Sequence, residues 1–355
     1  LPENVHATCT VPYVSGTGIY NCAGVLQVLR GASQPSALNN KNQWDNGARP
    51  ATDTTSPLNQ ASINEMAVWG MNVLRVPVSA YIYEESSTKS AYLTQLDDIV
   101  SNTQTANIKV IFAVFEDVQA GGQSGNVGTM TTDDTTFLGV LANRYSAKTR
   151  VFYDLLNEPQ ETSWSAWESD MNAGITAVRA YSSQIVVLEP TQGITGNGCT
   201  DNGSTIKGMF NGLPTSDIPS DSEMVFSPHM YNAVINGDST SWKCELGPAW
   251  GNYPVYVGEW GVLPHAGISY NCQNLTNANA DNVTNNWMGW SLTGNNGDKI
   301  SWSAWDFEPT NMVSVQASPW TRTAFSTSSW SCDDGSSAAN SSGMGADVYA
   351  WMQNH

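Results

Sequence analysis

The feature that most constrains this 355-residue chain is a repeat of apolar runs. They cover residues 28–33, 72–78, 109–115, 151–159, 185–190, 224–231, 254–261 and 300–307. Their starts lie on average about 39 residues apart, room for one strand, one helix and their connections. Between them lie stretches with helical periodicity. Residues 57–69 follow Ser56 as an N-cap, with Pro57 at the first helical position. Tyr92, Leu93, Leu96, Ile99 and Val100 form an i, i+3, i+4, i+7 stripe, and Phe137, Leu138, Val140, Leu141 and Tyr145 form another. Residues 164–181 and 346–352 read as further helices. The runs are almost continuously apolar, as parallel strands buried on both faces must be. Eight strands alternating with helices predict an α/β fold, a single (β/α)8 barrel; a doubly wound sheet is the alternative. No Pro-, Gly- or Ser-rich linker divides the chain, so residues 28–355 are read as one barrel. Residues 1–27 are read as a hairpin around Ser15-Gly16-Thr17-Gly18, stapled by Cys9–Cys22 and able to plug the barrel bottom.

Composition narrows the environment. Charged residues make up 13% of the chain and its net charge is −18. A chain this acidic, without a basic patch, repels phosphate, which excludes nucleic-acid binding. No apolar run approaches the roughly 20 residues of a membrane span. Ser, Thr, Asn and Gly take the place of charge, a surface suited to a secreted protein. Sequons at Asn202, Asn274, Asn282 and Asn340 are candidate glycosylation sites. Six cysteines, with no C-x-x-C pair, fit disulfides rather than zinc. Cys199, Cys244, Cys272 and Cys332 fall in loops after strands five to eight; six cysteines allow 15 pairings, and Cys199–Cys244 with Cys272–Cys332 is the pairing expected if adjacent loops are bridged. The chain begins at Leu1 without a signal segment, which reads as a mature secreted form, and a monomer is expected.

In a (β/α)8 barrel, chemistry sits where the strands end at the carboxyl face. Strand two carries Arg75. Strand four ends in Asn157-Glu158-Pro159, strand six in His229-Met230-Tyr231 and strand seven in Gly258-Glu259-Trp260-Gly261. Strand eight carries Trp302, Trp305 and Asp306. A lone carboxylate buried at a strand end is costly. Two, across a barrel mouth, make sense as a catalytic pair, and glycoside hydrolysis needs such a pair. Fourteen tryptophans fit the same chemistry, because an aromatic face covers the apolar face of a pyranose.

These motifs resemble those of glycoside hydrolase family 5, in the clan A retaining β-glycosidases. Asn157-Glu158-Pro159 resembles the acid/base motif, and Gly258-Glu259-Trp260-Gly261 the nucleophile strand. Asn72-Val73-Leu74-Arg75-Val76-Pro77 resembles the strand-two motif. His229-x-Tyr231 and Trp305 also match, over roughly residues 26–310. The resemblance implies Glu158 as general acid and then base, and Glu259 as nucleophile held by Arg75 and Tyr231. It implies Asn157 on the sugar 2-hydroxyl, His229 beside Glu158, and Trp305 as the floor under the sugar. One position departs: the family's strand-three His is Phe115 here, and Glu116 or Asp117 are the residues that could take over its hydrogen bonds.

Trp164 and Trp260 are further substrate candidates. No serine elbow, zinc helix or dinucleotide fingerprint is present, so no cofactor or metal is implied. The expectation is a secreted retaining hydrolase of an oligo- or polysaccharide, a cell-wall β-glycan. β-1,4-Glucan is favoured over mannan, xylan, β-1,3- or β-1,6-glucan and galactan. A carbohydrate-binding barrel without catalysis, or a transglycosidase using the same carboxylates, are the alternatives.

Overall fold

The computed structural model describes residues 9–37, 58–85, 89–115, 128–201, 204–231, 234, 238–261, 277–295, 297, 299–307 and 345–355. The chain opens on a hairpin, β1 (Tyr13–Ser15) and β2 (Gly18–Tyr20), paired antiparallel. The larger sheet uses β3 (Arg30–Ser33), β4 (Val73–Val78), β5 (Lys109–Val114), β6 (Val151–Asp154) and β7 (Val186–Leu188). A second hairpin, β8 (Thr195–Asp201) and β9 (Ser204–Lys207), follows β7. The sheet resumes with β10 (Met224–Phe226), β11 (His229–Tyr231), β12 (Tyr256–Gly261) and β13 (Ser301–Ala304).

All pairings in the large sheet are parallel, in the order β10-β7-β6-β5-β4-β3-β13-β12-β11. β10 and β11 are halves of one expected run, interrupted at Ser227-Pro228. β10 pairs with β7 while β11 pairs with β12, and Phe226 bridges to Val255, so the sheet closes on itself. The result is the (β/α)8 barrel expected from the repeat.

Strand periodicity sorts side chains between two cores. Leu74, Val76 and Val78 of β4 face outward into the layer shared with the helices. Val73, Ile111, Phe152, Val187, Val225 and Tyr256 face inward and fill the barrel's lower half. Ile19 packs there too, with Val14 against it, so the first hairpin plugs the bottom. It is held by the Cys9–Cys22 disulfide and by the Val14 N–H donating to Glu223 at 2.7 Å.

Helices cover the outside, including Gln60–Val68, Lys89–Thr105, Thr132–Arg144, Trp164–Arg179 and Gly345–Asn354. Two start signals differ from simple pattern reading. The first helix is capped by Asn59, whose side chain accepts from the Ser62 N–H at 2.9 Å, not by Ser56, which lies outside the described residues. Thr131 and Asp134 form a reciprocal capping box that the apolar stripe of the next helix does not reveal. Among the described residues, no helix is long and apolar enough to cross a membrane.

Candidate active site

Above the apolar layers, the inward positions turn polar. Val73 is inward on β4, so Arg75, two residues on, is inward as well, and it is fully buried. The same period places Asp154 two residues after Phe152, and Glu189 two after Val187. Arg75 Nε donates to Asp154 at 2.9 Å and Nη1 to Glu259 at 2.7 Å. Its Nη2 donates to Asn157 Oδ1 at 2.9 Å and to Glu189 at 2.7 Å. One guanidinium thus organises the ends of β6, β7 and β12.

The two candidate glutamates are delivered by two backbone irregularities. On β12 the register shifts between Val257 and Trp260, a β-bulge. A bulge re-aims a side chain: Val257 and Trp260 both pack outward, while Glu259 between them reaches Arg75. Gly258 makes this possible. A Cβ there would lie 2.5 Å from Ser227 Oγ and 3.3 Å from His229 Nε2. Glu158 adopts a left-handed φ of 44°, rare for a residue with a side chain. Its N–H donates to Glu189 Oε2 at 2.6 Å. Its carboxylate meets His229 Nδ1 at 3.0 Å.

Tyr231 donates its hydroxyl proton to Glu259. Burial and the neighbouring Glu259 hold that phenol well above its usual range, so it remains a donor. His229 Nδ1 lies 3.6 Å from Glu259, and Nε2 lies 3.1 Å from Glu189. Burial works against a charge on His229, but Glu189, Glu259 and Glu158 outweigh it and hold the ring well above its ordinary value. Arg75 is likewise pushed up, by Asp154, Glu189 and Glu259 acting against burial. Burial raises Glu259, opposed by His229 and Arg75. Glu189 is buried as deeply, yet His229 and Arg75 pull it down to about 2.

Arg75, Asn157, Glu158, His229, Tyr231 and Glu259 therefore meet in one cluster. An oxygen of Glu158, a ring nitrogen of His229 and an oxygen of Glu259 all lie within 4.8 Å of one another. Three such ligands could hold a metal. Here the His229 nitrogens already face Glu158 and Glu189, and the Glu259 oxygens already accept from Arg75 and Tyr231. Asn157 is bound to Arg75, so it serves the guanidinium as well as any sugar. Trp305 stacks on Phe115 with ring centroids 6.4 Å apart at 17°. Phe115, standing where a His was expected, also presents its face to the Arg75 guanidinium at 5.3 Å.

Some sequence expectations need correction. Trp260 is fully buried among Trp287 and Trp302 in the sheet–helix layer, so it is a core residue and no substrate contact. Trp302 points the same way, its Nε1 donating to Ser291 at 3.3 Å. Trp164 packs edge-on against Trp167 at 5.6 Å and remains partly exposed beside the core. The Cys199–Cys244 disulfide joins β8 to the helix Ser239–Leu246. Glu116, Asp117, Cys272, Cys332, Asn202, Asn274 and Asn340 lie outside the described residues, as does the side chain of Asn282. Glu189 and Asp154 were not singled out from the sequence. Their signal was there: Glu189 ends its run in Leu-Glu-Pro, two residues past an inward valine.

The cellulase family (glycosyl hydrolase family 5) matches residues 38–311. The chain belongs to glycosyl hydrolase family 5. Endoglucanase MaCel5A of Microbulbifer sp. (strain ALW1) is 26% identical over 301 residues, which cover 83% of this chain and 50% of that protein. Endoglucanase E-5 of Thermobifida fusca is 24% identical over 156 residues, 44% of this chain and 32% of that one. The chain thus spans half or less of the length of these curated relatives. Among solved structures, the Saccharophagus degradans β-glucanase SdGluc5_26A, in complex with cellotetraose, superposes with a TM-score of 0.67 at 16% identity. That match covers 100% of this chain and 97% of that one. The catalytic domain of Thermobifida fusca endoglucanase Cel5A gives 0.61 at 16% identity, covering 97% of each chain. At these identities the structural likeness speaks to the fold.

Proposed function

We propose that this family 5 chain is a secreted, retaining β-glycan hydrolase with β-1,4-glucan as its substrate. The observation that carries the reading is the placement of Glu158 and Glu259, with carboxylate oxygens within 4.8 Å. Retaining glycosidases hold their carboxyls roughly 5–5.5 Å apart, whereas inverting ones need about 6.5–9.5 Å to admit a water. The short span favours direct attack by one carboxylate.

In the first step, Glu259 attacks the anomeric carbon while Glu158 gives its proton to the departing glycosidic oxygen. The product is an ester between the sugar and Glu259. Arg75 and the Tyr231 hydroxyl bind the Glu259 oxygens and aim the attacking lone pair. In the second step, Glu158, now ionised, takes a proton from water. The resulting hydroxide attacks the anomeric carbon and Glu259 leaves as a carboxylate. Two inversions give net retention. Phe115 and Trp305 offer an apolar wall for the sugar's C–H face. The names of the relatives, endoglucanases and a β-glucanase bound to cellotetraose, favour β-1,4-glucan over mannan, xylan, β-1,3- or β-1,6-glucan and galactan. Two disulfides and an acidic, sequon-bearing chain support an extracellular setting.

The test is product release from a panel of those glycans, with Glu259→Ala as control and the anomer of the first product read by NMR. Release of β-configured ends from β-1,4-glucan, abolished in the control, is expected. First-formed α ends would overturn retention. Binding without release from any glycan would move the chain to the carbohydrate-binding alternative.

A further inference from the structure

Glu189 is a buried carboxylate with several charged and polar partners, and neither step above uses it. Its side chain is 1% exposed. Oε1 accepts from Arg75 at 2.7 Å and faces His229 Nε2 at 3.1 Å. Oε2 accepts from the Glu158 backbone N–H at 2.6 Å. Its own carbonyl accepts from Trp167 Nε1 at 2.7 Å, which fixes the end of β7 to the helix outside. One carboxylate therefore grips the backbone of one proposed catalytic glutamate, the guanidinium that holds the other, and the imidazole that touches both.

Building on the hydrolase reading, we propose that Glu189 is a positioning residue for the reaction: its carboxylate locks the left-handed turn that presents Glu158 and fixes His229 and Arg75 against Glu259. The turn needs such a lock. A φ of 44° costs a non-glycine residue on the order of 1–3 kcal/mol and persists where its surroundings over-determine it. The 2.6 Å bond from the Glu158 N–H restrains the backbone at that residue directly. The same carboxylate faces the His229 ring from the side opposite Glu158, Nε2 lying 3.1 Å from Glu189 while Nδ1 lies 3.0 Å from Glu158.

Charge accounting agrees with this role. The groups facing His229 are Glu158 from the end of β6, Glu189 from the end of β7, and Glu259 from β12. Those facing Glu189 are Arg75 from β4, Asp154 from β6 and His229 from β11. Ionised, Asp154 would leave Oδ1 buried without a partner. Burial and Glu189 raise the Asp154 carboxyl well above its usual range, against Arg75. Take away the Glu189 charge, and His229 loses the strongest reason to stay protonated.

The experiment compares wild type with Glu189→Gln and Glu189→Asp. One readout is independent of turnover: the ¹⁵N shifts of the His229 ring against pH, assigned with His229→Asn. In wild type the ring stays an imidazolium through neutral pH. In Glu189→Gln it titrates nearer the ordinary value of about 6.5. The second readout is the kinetic split on a soluble β-glucan. Glu189→Gln is expected to lower kcat by about 10- to 100-fold, the usual scale for groups that orient a site, with KM within about threefold. Glu189→Asp should recover part of the His229 titration and of kcat. An unchanged His229 titration in Glu189→Gln overturns the proposal, as does a kcat loss that thermal melting fully accounts for. A wild type without glycosidase activity would sink the hydrolase reading, while the His229 titration would still decide whether Glu189 holds the ring.

Discussion

Arg75→Met is the most informative perturbation for the energetics of the site. Methionine keeps the apolar stem but removes the guanidinium from Asp154, Glu189 and Glu259, whose side chains are 0%, 1% and 6% exposed. Removing one partner of a buried ion pair costs about 3–5 kcal/mol, because the other charge is left uncompensated. Three acids do not triple that figure. The Asp154 carboxyl is raised well above its usual range by burial, which weakens its demand for the guanidinium, and His229 remains beside Glu189 and Glu259. The estimate is therefore about 5 kcal/mol, the upper end for a single pair. With an unfolding entropy of about 2.1 cal/mol/K per residue, that lowers Tm by roughly 7 °C for a chain of this length.

The deficit must also depend on pH. Glu189, held at about 2 in the folded protein, sits below its ordinary value of 4.5. A carboxylate with a lowered folded value stabilises fully above its unfolded value, and that stabilisation is lost as pH falls through the folded value. Arg75 supplies part of it. The Tm gap between wild type and Arg75→Met should be widest above about pH 5 and narrow from there toward pH 2. Thermal melts of both proteins across that range make the test, with Arg75→Lys as a fallback that keeps charge but offers fewer donors. A gap of less than about 2 °C at pH 7, or one that widens on acidification, would refute the argument that this cation neutralises buried acids.

Gly258→Ala should destabilise by about 1–3 kcal/mol through overpacking, since its Cβ would sit 2.5 Å from Ser227 Oγ; in chemical denaturation, adding Ser227→Ala should recover part of the loss, and no recovery would count against the clash. Trp260→Ala should cost about 3–5 kcal/mol of stability yet leave KM for oligosaccharides unchanged in the folded fraction, while Trp305→Ala should raise KM with little change in Tm. Phe115→His puts an imidazole against the Arg75 guanidinium, which disfavours its protonation, so the variant should lose stability relative to wild type as pH falls below about 6.5; equal Tm deficits at pH 8 and pH 5 would contradict this.

The barrel was readable because its signal is repeated. A buried parallel strand must be apolar on both faces, and the regular return of such runs leaves few other folds. Boundaries were less readable, because an apolar run continues beyond its ladder. The run 151–159 contains β6 only to Asp154, and its last residues turn to deliver Asn157 and Glu158. The first helix begins at Gln60 because an Asn side chain two residues past the Ser-Pro pair supplies the cap. Serine, threonine, aspartate and asparagine all cap, so composition alone cannot choose among Ser56, Asn59 and their neighbours.

The site was readable where a residue type is costly for the fold. Glu158, Glu259 and Arg75 stood out because a strand-end charge needs a reason. Two features hid from that logic. Trp260 sits next to Glu259 and shares its motif, but the bulge at Gly258 turns consecutive side chains to unexpected faces, and only the pairing register reveals it. Glu189 is the reverse case. Its period with Val187 marks it as inward, yet one carboxylate among eight strand ends carries no chemistry until its partners are known. What distinguishes it is contact with Arg75, His229 and the Glu158 backbone, groups 114, 40 and 31 residues away in sequence. Phe115 belongs to the same class. Its ring lies against the Arg75 guanidinium and stacks on Trp305. A second imidazole there would add a group that, once protonated, is repelled by Arg75. The aromatic at this position suits the buried guanidinium beside it, and that fit does not follow from a motif read alone.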